Sequence, residues 1–563
     1  MRDGSLMADA VVRFRGRGRR SEPATRLLRP ISWARLVTFG AAVILTLVPR
    51  TAPASAAAAT VLRVPQAFPT IQSAIDAAAA GDTVLVAAGT YNETIDFRAK
   101  AVTVESESGA AATTINGDGV GAVVQMVANA GETPVLRGFT VRNGGASGSN
   151  DGAIDTSGGP ALIENNTITA NRFCGDGAVT ASFSAAIIRN NLISGNSQDL
   201  CSGGVGGAGV SIGGAGTVQL LNNVITANTH GSGAGGVELF AAGAPTINGN
   251  VIKDNVGWIG GGVSLVNQSD ATITNNVIAG NRAAQGGGVY VSVPFGVRGP
   301  LVVNNTIAAN QANNGLAAYV TGFFAQTAFV NNILAGDGTA SAVECDGTYD
   351  QTPPIIRFND VYNGGTGPEY AGTCTDQTGI SGNISADPLF VDPAGGDFHV
   401  RLGPVVDAGT NADAPTTDID GDVRPTDGNA DGVAIVDMGA DEALPGGADN
   451  LPPTITCSAS PSMLWPPSHE LRAVTVAISA SDNSGSVTVT LVSVVSSQAD
   501  KSLGPDDAPN DIQGWATGTD DRSGQLRTER YMRQRVYTLT YRASDPAGNT
   551  ATCQTTVTVP MKP

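Results

Sequence analysis

The apolar positions of this chain fall in short β-branched runs separated by Asn and Gly, not in helical stripes. The clearest instance is Asn275-Asn276-Val277-Ile278-Ala279-Gly280-Asn281, followed by Gly286-Gly287-Gly288-Val289-Tyr290-Val291. The same phrase begins at Asn165, Asn190, Asn222, Gly249, Asn304 and Asn331. Its second residue stands at 166, 191, 223, 250, 276, 305 and 332, giving intervals of 25, 32, 27, 26, 29 and 27 residues. Repetition at such a period defines a solenoid or array. No repeat holds the run of roughly ten residues with 3.6-residue periodicity that a helix requires. Each holds strand-sized runs rich in Val, Ile and Thr, such as Val237-Glu238-Leu239-Phe240. Two or three strands per repeat and no helix predict one coil of a parallel β-helix, with each strand pairing its counterpart about 4.8 Å away. The pattern then predicts an apolar column of Ile168, Ile193, Ile225, Ile252, Ile278, Ile307 and Leu334. It also predicts columns of Asn, a residue that tolerates left-handed backbone and can bond its side-chain amide to the one above.

On these residues the chain resembles the pectin-lyase-like superfamily of right-handed parallel β-helix proteins over about residues 60–440. The segment Thr70-Ile71-Gln72-Ser73-Ala74-Ile75-Asp76, then Gly81-Asp82-Thr83-Val84-Leu85-Val86 and Gly89-Thr90-Tyr91, resembles the start of that fold. It predicts an amphipathic helix, with Ile71, Ala74, Ile75 and Ala78 on one face, covering the open first coil. The run from Asp387-Pro388-Leu389-Phe390-Val391-Asp392 through Asp418-Ile419-Asp420-Gly421-Asp422-Val423-Arg424-Pro425 to Val436-Asp437-Met438-Gly439-Ala440-Asp441-Glu442 resembles the closing segment of bacterial surface proteins of the choice-of-anchor Q type, which implies an extracellular location.

The predicted organisation is therefore a signal peptide (1–56), an all-β right-handed parallel β-helix (57–442, closing segment 365–442), a linker (443–453) and an Ig-like β-sandwich (454–560). The signal peptide rests on Arg26, Arg29 and Arg35, the apolar run Leu36–Val48 and the small residues Ala54-Ser55-Ala56; that run is short for a membrane span. The linker is rich in Pro and Gly. The sandwich rests on four alternating runs: Val474–Ile478, Val487–Val492, Val536–Tyr541 and Thr555–Val559. Leu464-Trp465-Pro466-Pro467-Ser468-His469 and Ser544-Asp545-Pro546-Ala547-Gly548-Asn549 resemble a C-terminal module of secreted bacterial proteins, which implies attachment or spacing.

Charge narrows the partners. Residues 1–56 hold ten of the 32 basic residues and three of the 50 acidic ones, so the remainder, with 22 basic and 47 acidic residues, is at net −25. Such a chain is a poor nucleic-acid binder and repels polyanions unless a cation such as calcium bridges them. Six cysteines predict three disulfides, in keeping with export. Cys174 and Cys201 hold nearly the same position on consecutive coils, as do Cys345 and Cys374, while Cys457 and Cys553 bracket the C-terminal domain.

Catalytic motifs of β-helix enzymes are not found. The mature β-helix has two lysines, Lys100 and Lys253, and Arg172, Arg189, Arg282 and Arg298 stand in no lyase-like motif. The paired Asp of glycosidases and of pectinesterases are missing. Column counting instead brings His230 and Trp258 to one corner, with Asp254 and Arg282 close by, a set that could stack and pair with a sugar. The rival reading makes Trp258 a packing residue and His230 a turn residue. Asp151, Asp155, Asp176 and Asp199 add acid nearby, most simply as solvated loop charge. Asp427-Gly428-Asn429-Ala430-Asp431-Gly432 matches the first half of a Ca²⁺ loop. Asp427, Asn429 and Asp431 are thus candidate calcium ligands, although Met438 occupies the twelfth position; a plain acidic turn is the alternative. The expectation is a monomeric, secreted or surface-held, non-catalytic protein that binds extracellular polysaccharide or cell-surface glycan or supports adhesion. The alternative is a polysaccharide lyase or glycoside hydrolase.

Overall fold

Strand register carries the sequence period into three dimensions. The computed structural model describes residues 59–562 apart from 129–130, 146–151, 199–205, 324–325, 348–352, 430, 445–451, 483–486, 502–507 and 546–547. The segment 1–56, most of the linker, Asp151, Asp199 and Cys201 therefore lie outside the described residues. From Val61 to Gly372 the chain winds through three parallel sheets. The first has twelve strands, from Val61–Val64 to Ile355–Arg357. The second has eleven, from Gly89–Asn92 to Asp360–Asn363, and the third has eleven, from Ile95–Asp96 to Tyr370–Gly372. Each strand pairs with the equivalent strand one coil away, so Ile168, Ile193, Ile225, Ile252, Ile278, Ile307 and Leu334 stack in a single column. All seven are buried in one core. Alternation puts every second residue of a strand inward, which accounts for the short apolar runs.

The Asn phrases do two jobs, divided between adjacent residues. The first Asn takes the left-handed corner: Asn165, Asn190, Asn222, Asn275, Asn304 and Asn331 have φ between 52° and 56°. The second Asn is buried and forms a ladder. Asn276 Nδ2 donates to Asn305 Oδ1 one rung on (2.9 Å), to Ile247 O (2.9 Å) and to Thr274 O (2.9 Å), while its Oδ1 accepts from the backbone and side chain of Asn250. The same bonds recur from Asn166 to Asn383. A second ladder runs through Asn171, Asn196, Asn228, Asn255, Asn281 and Asn310. Each amide thus satisfies backbone groups at a corner where no sheet partner exists, and those groups would otherwise be buried unpaired.

Ahead of the first complete coil, helix Ile71–Ala77 starts at a reciprocal Thr70/Ser73 capping box. Its Ile71, Ala74 and Ile75, with Ala78 beyond it, are buried in the solenoid core.

The segment after residue 388 does not continue the coils. It folds back along the outer face of the second sheet. Phe398, Val400, Val405, Val406 and Met438 pack on Ala279, Ala308, Ile333 and Ala335. Asn275 Nδ2 donates to Thr417 O (2.7 Å), and Asn331 Nδ2 donates to Thr410 O (2.9 Å). The docking site is prepared by small residues: in one outward column Lys253 is followed by Ala279 and Ala308. Apart from the hairpin Phe390–Asp392/Asp397–Val400, this strap is irregular, and carboxylates take the place of sheet partners. Asp437 accepts the N–H of Asp407 and of Ala443, Asp418 those of Asp420, Gly421, Asp422 and Glu442, and Glu442 those of Thr426 and Asp437. Arg424, fully buried, lies 3.4 Å from Glu442.

Beyond residue 453 the strands become antiparallel. Seven strands form a four-stranded and a three-stranded sheet whose buried residues, among them Val474, Leu491, Tyr537, Leu539 and Val557, make one cluster. Cys457–Cys553 joins the first strand to the seventh, with Cα atoms 6.0 Å apart. Cys345–Cys374 links successive coils at 5.2 Å. Cys174 is also in a disulfide; its expected partner, Cys201, lies outside the described residues. Among the described residues no helix is long and apolar enough to cross a membrane.

Candidate functional site

After the second sheet the chain turns at the second Asn ladder and enters a short strand column. Arg172, Ser197 and Thr229 pair in register, and single bridges extend the column through Val256, Arg282 and Gln311. Beside it lies a groove of about 500 Å³ lined by Val256, Trp258, Arg282, Gln311, Asn313, Asp337 and Thr339, among others. Trp258 is 60% exposed. Its loop is held rigidly: Gly257 N donates to Arg282 O (2.8 Å), Trp258 N to Gly233 O (2.9 Å) and Ala284 N to Trp258 O (3.0 Å). Gly257 must be glycine, because a Cβ would come within 2.6 Å of Gly235 N. Arg282 sits one rung beyond Val256, its backbone N–H on Asn255 O (2.8 Å). It is exposed, and among the described residues its guanidinium makes no ion pair. Gln311 follows one rung later. At the far end Asp337 Oδ1 accepts from the backbone and hydroxyl of Thr339 (3.0 and 2.6 Å). Asp337 is exposed and occupies the phrase position that holds a ladder Asn in the preceding coils.

The four residues predicted to share a corner separate. Trp258 and Arg282 line the groove; His230 and Asp254 do not. His230 is buried at 2% exposure, with Nδ1 accepting the N–H groups of Ser232 (3.1 Å) and Gly233 (2.6 Å). Burial, partly offset by the backbone of Gly175, pushes its imidazole pKa down to about 4. The reason is strand alternation: in the pair Thr229–His230 the first residue points out and the second in. Asp254 occupies the left-handed corner (φ 56°) one coil before Gly280 and is exposed there.

One contributor was not anticipated. Glu238 is buried; its carboxylate accepts the N–H of Gly206 (3.1 Å) and Ala234 (3.4 Å), and burial raises its pKa. A Cβ on Gly233 would meet His230 Cε1 at 2.9 Å and Glu238 Oε2 at 3.0 Å. His230 and Glu238 therefore form a shelf against Gly233, whose carbonyl anchors Trp258. Only the Gly-rich run before Val237 hints at this close packing in the sequence.

The calcium-loop candidates are engaged in a turn. Asp427 accepts the N–H of Asp431 (3.0 Å) and Gly432 (2.8 Å), Asn429 Oδ1 that of Asp431 (2.9 Å), and Asp431 that of Val433 (2.9 Å). The Asn429 and Asp431 bonds are Asx turns, while the Asp427 carboxylate reaches four and five residues along the chain; Asn429 and Asp431 are exposed and Asp427 is half-buried. A second polar cluster joins His399 to Asp397 (Nδ1 to Oδ1, 2.5 Å) and Asp420 (Nε2 to Oδ2, 2.9 Å), with Asp441 close by. Burial opposes the charge, but these carboxylates win and raise the His399 pKa to about 11. The cluster is an imidazolium balanced by acids.

A family model agrees with the architecture. The family model described as right handed beta helix region matches residues 153–334 and 204–384. Among solved structures, a mutant of the PL6 family alginate lyase AlyGC is similar at 13% identity and a TM-score of 0.29, over 61% of this chain and 55% of that one. The chain thus spans little more than half the length of that lyase. None of the curated proteins compared with the chain matches it. The fold is a right-handed parallel β-helix, almost free of α-helix, followed by small antiparallel sheets.

Proposed function

We propose that this is an extracellular, non-catalytic β-helix protein that binds a glycan along the Trp258 groove. The observation that carries the reading is Trp258 itself: a large apolar ring, 60% exposed, on a rigidly bonded loop above a groove lined by amides, a hydroxyl and one guanidinium. An indole face offers a sugar ring apolar C–H contact, while amides and hydroxyls fix its orientation. Cleavage is disfavoured by the same inventory. Hydrolysis needs two carboxyl groups flanking one bond, and among the described residues Asp337 is the single acid lining the groove. Elimination needs a base together with a separate cation to neutralise the sugar acid, and Arg282 can fill one of those roles, not both.

The surrounding architecture supports an extracellular role. Disulfides persist in oxidising compartments. Helix Ile71–Ala77 is suited to cover the first coil. The C-terminal strands order as first–second–fifth–fourth and third–sixth–seventh, the ABED/CFG arrangement of Ig constant-type sandwiches, although the disulfide joins the outer strands rather than the two central ones. Such a module serves as a spacer or tether.

A panel of extracellular polysaccharides tests the reading, with binding measured by calorimetry and with assays for reducing ends and unsaturated products. Trp258→Ala is expected to weaken binding about tenfold or more, since about 1.4 kcal/mol of lost contact corresponds to that factor. Unaltered binding by Trp258→Ala, or product formation by the wild type, would overturn it.

A further inference from the structure

Resting on that reading of the groove, the geometry points to its ligand: a heteroglycan chain that lies along the solenoid axis and carries an isolated acidic sugar between neutral ones, rather than a uniformly anionic polymer. The groove is built across successive rungs, so its groups are spaced by the coil repeat. Trp258 stands on one coil, Arg282 on the next, Gln311 and Asn313 on the third, Asp337 and Thr339 on the fourth. Rungs are about 4.8 Å apart, so the lined length is roughly 15 Å. An extended sugar chain advances by about one rung per pyranose, so a run of sugars parallel to the axis meets each rung in turn, and a single terminal sugar would leave most of the groove unused.

The charge sequence along those rungs is what selects the ligand. Trp258 offers an uncharged face. Arg282, with no ion-pair partner among the described residues, is the groove's single cation and favours a carboxylate or sulfate on the sugar beside it. Gln311 and Asn313 are neutral. Asp337 then places a negative charge about two rungs from Arg282. A polyuronate would put a carboxylate next to Asp337 as well as next to Arg282. Like charges held close together at a surface repel enough to lower affinity about two- to tenfold. The whole chain, at net −18, adds a longer-range repulsion that salt screens. A chain with one acid per several sugars gains the Arg282 contact without the Asp337 conflict, and a neutral chain has neither the contact nor the conflict.

Three probes of equal length decide it: a gellan-type tetrasaccharide with a single glucuronate, a tetragalacturonate and cellotetraose, titrated against the full chain at low and moderate salt. The expected order is single-acid, then neutral, then polyuronate at low salt. Added salt should improve the polyuronate and weaken the single-acid probe. Arg282→Gln should erase the advantage of the single acid, and Asp337→Asn should raise polyuronate affinity two- to tenfold relative to that of the neutral probe. Both side chains are exposed, and unchanged circular dichroism and melting would show that the variants fold. Polyuronate binding tightest, or Asp337→Asn leaving its affinity unaltered, would overturn the charge assignment while leaving glycan binding intact. Failure of all three probes, together with the wider panel, would remove the glycan reading and this inference with it.

Discussion

The side-chain nitrogen of Asn304 lies 2.9 Å from the carbonyl oxygen of Asp437, 133 residues further along the chain. It also reaches Gly439 O at 3.2 Å. A corner residue of the solenoid thereby holds the irregular strap to the second sheet. Its counterparts Asn165, Asn190 and Asn222 occupy the same corner on uncovered coils and are exposed.

Asn304→Ala removes the donor for two strap carbonyls at a buried site. A buried acceptor left unpaired costs about 1–3 kcal/mol, so the strap should loosen before the coils do. Amide hydrogen exchange over residues 405–440 should accelerate, with the first coils unchanged. Asn222→Ala, at the exposed end of the same column, carries the same left-handed-backbone cost of about 1 kcal/mol but loses no strap bond, so it should destabilise less than Asn304→Ala and leave exchange over residues 405–440 unchanged. Equal effects from the two substitutions would contradict the docking role.

Asn276→Ala breaks a ladder rung. It deletes donors to Asn305 Oδ1, Ile247 O and Thr274 O and the acceptor for Asn250. Several buried groups lose partners together, so the cost should exceed that of Asn304→Ala and reach about 2–5 kcal/mol. Because a solenoid is stabilised by nearest-neighbour contacts, exchange should rise in the coils on either side and not in the antiparallel sheets. A urea transition with an unmoved midpoint would refute it.

How much of this was legible in the sequence depends on how local the cause is. The isoleucine column follows from a repeated phrase and strict alternation, both written in each coil. The ladders were visible as columns of Asn, but the split between a corner Asn and a ladder Asn was not, because the letters are identical. His230 was misplaced by one residue of counting, which in a strand reverses the side-chain direction; Phe173, Gln198 and His230 in fact form the inward column. The strap resembles a closing segment, but it has no period of its own, so its sequence does not say where it docks. Its place is set by the change from Lys253 to Ala279 and Ala308 elsewhere in the chain, and its backbone is satisfied by side chains such as Asp418 and Asp437.

Two charge clusters should set the limits of stability in acid and alkali. Glu164 is nearly buried between Arg137 and Arg189 on neighbouring rungs, at 2.6 Å from each. Burial works to raise its pKa, but hydrogen bonds from Arg189 and Arg137 prevail and lower it. A depressed carboxylate pKa contributes stability that is present above the ordinary value of 4.5 and lost as pH falls through the folded one. His399 has the opposite sign: raised to about 11, it contributes stability fully present below 6.5 and lost as pH rises toward 11. Glu164→Gln should therefore flatten the acid limb of a stability–pH profile, and His399→Gln the alkaline limb. A profile in which either variant keeps the wild-type slope on its own limb would refute that assignment.

The Cys457–Cys553 bond closes a loop of 96 residues and ties the two antiparallel sheets together through their outer strands. In the chain-entropy account, cross-linking a loop of that size restrains the unfolded state by about 4–5 kcal/mol, and measured losses on removing such bonds run about 2–5 kcal/mol. The core it supports is small: twelve buried residues form the cluster, with Ile455 and Cys457 themselves only partly buried at its edge. The double substitution Cys457→Ser/Cys553→Ser should thus unfold the C-terminal unit at markedly lower urea or temperature, read by exchange at Leu491, Tyr537 and Leu539. The solenoid has its own core and its own Cys345–Cys374 link between coils, so its ladder amides should keep wild-type protection. Loss of protection in both regions together would mean that they unfold as one cooperative unit, and that the disulfide stabilises more than the sheets it joins.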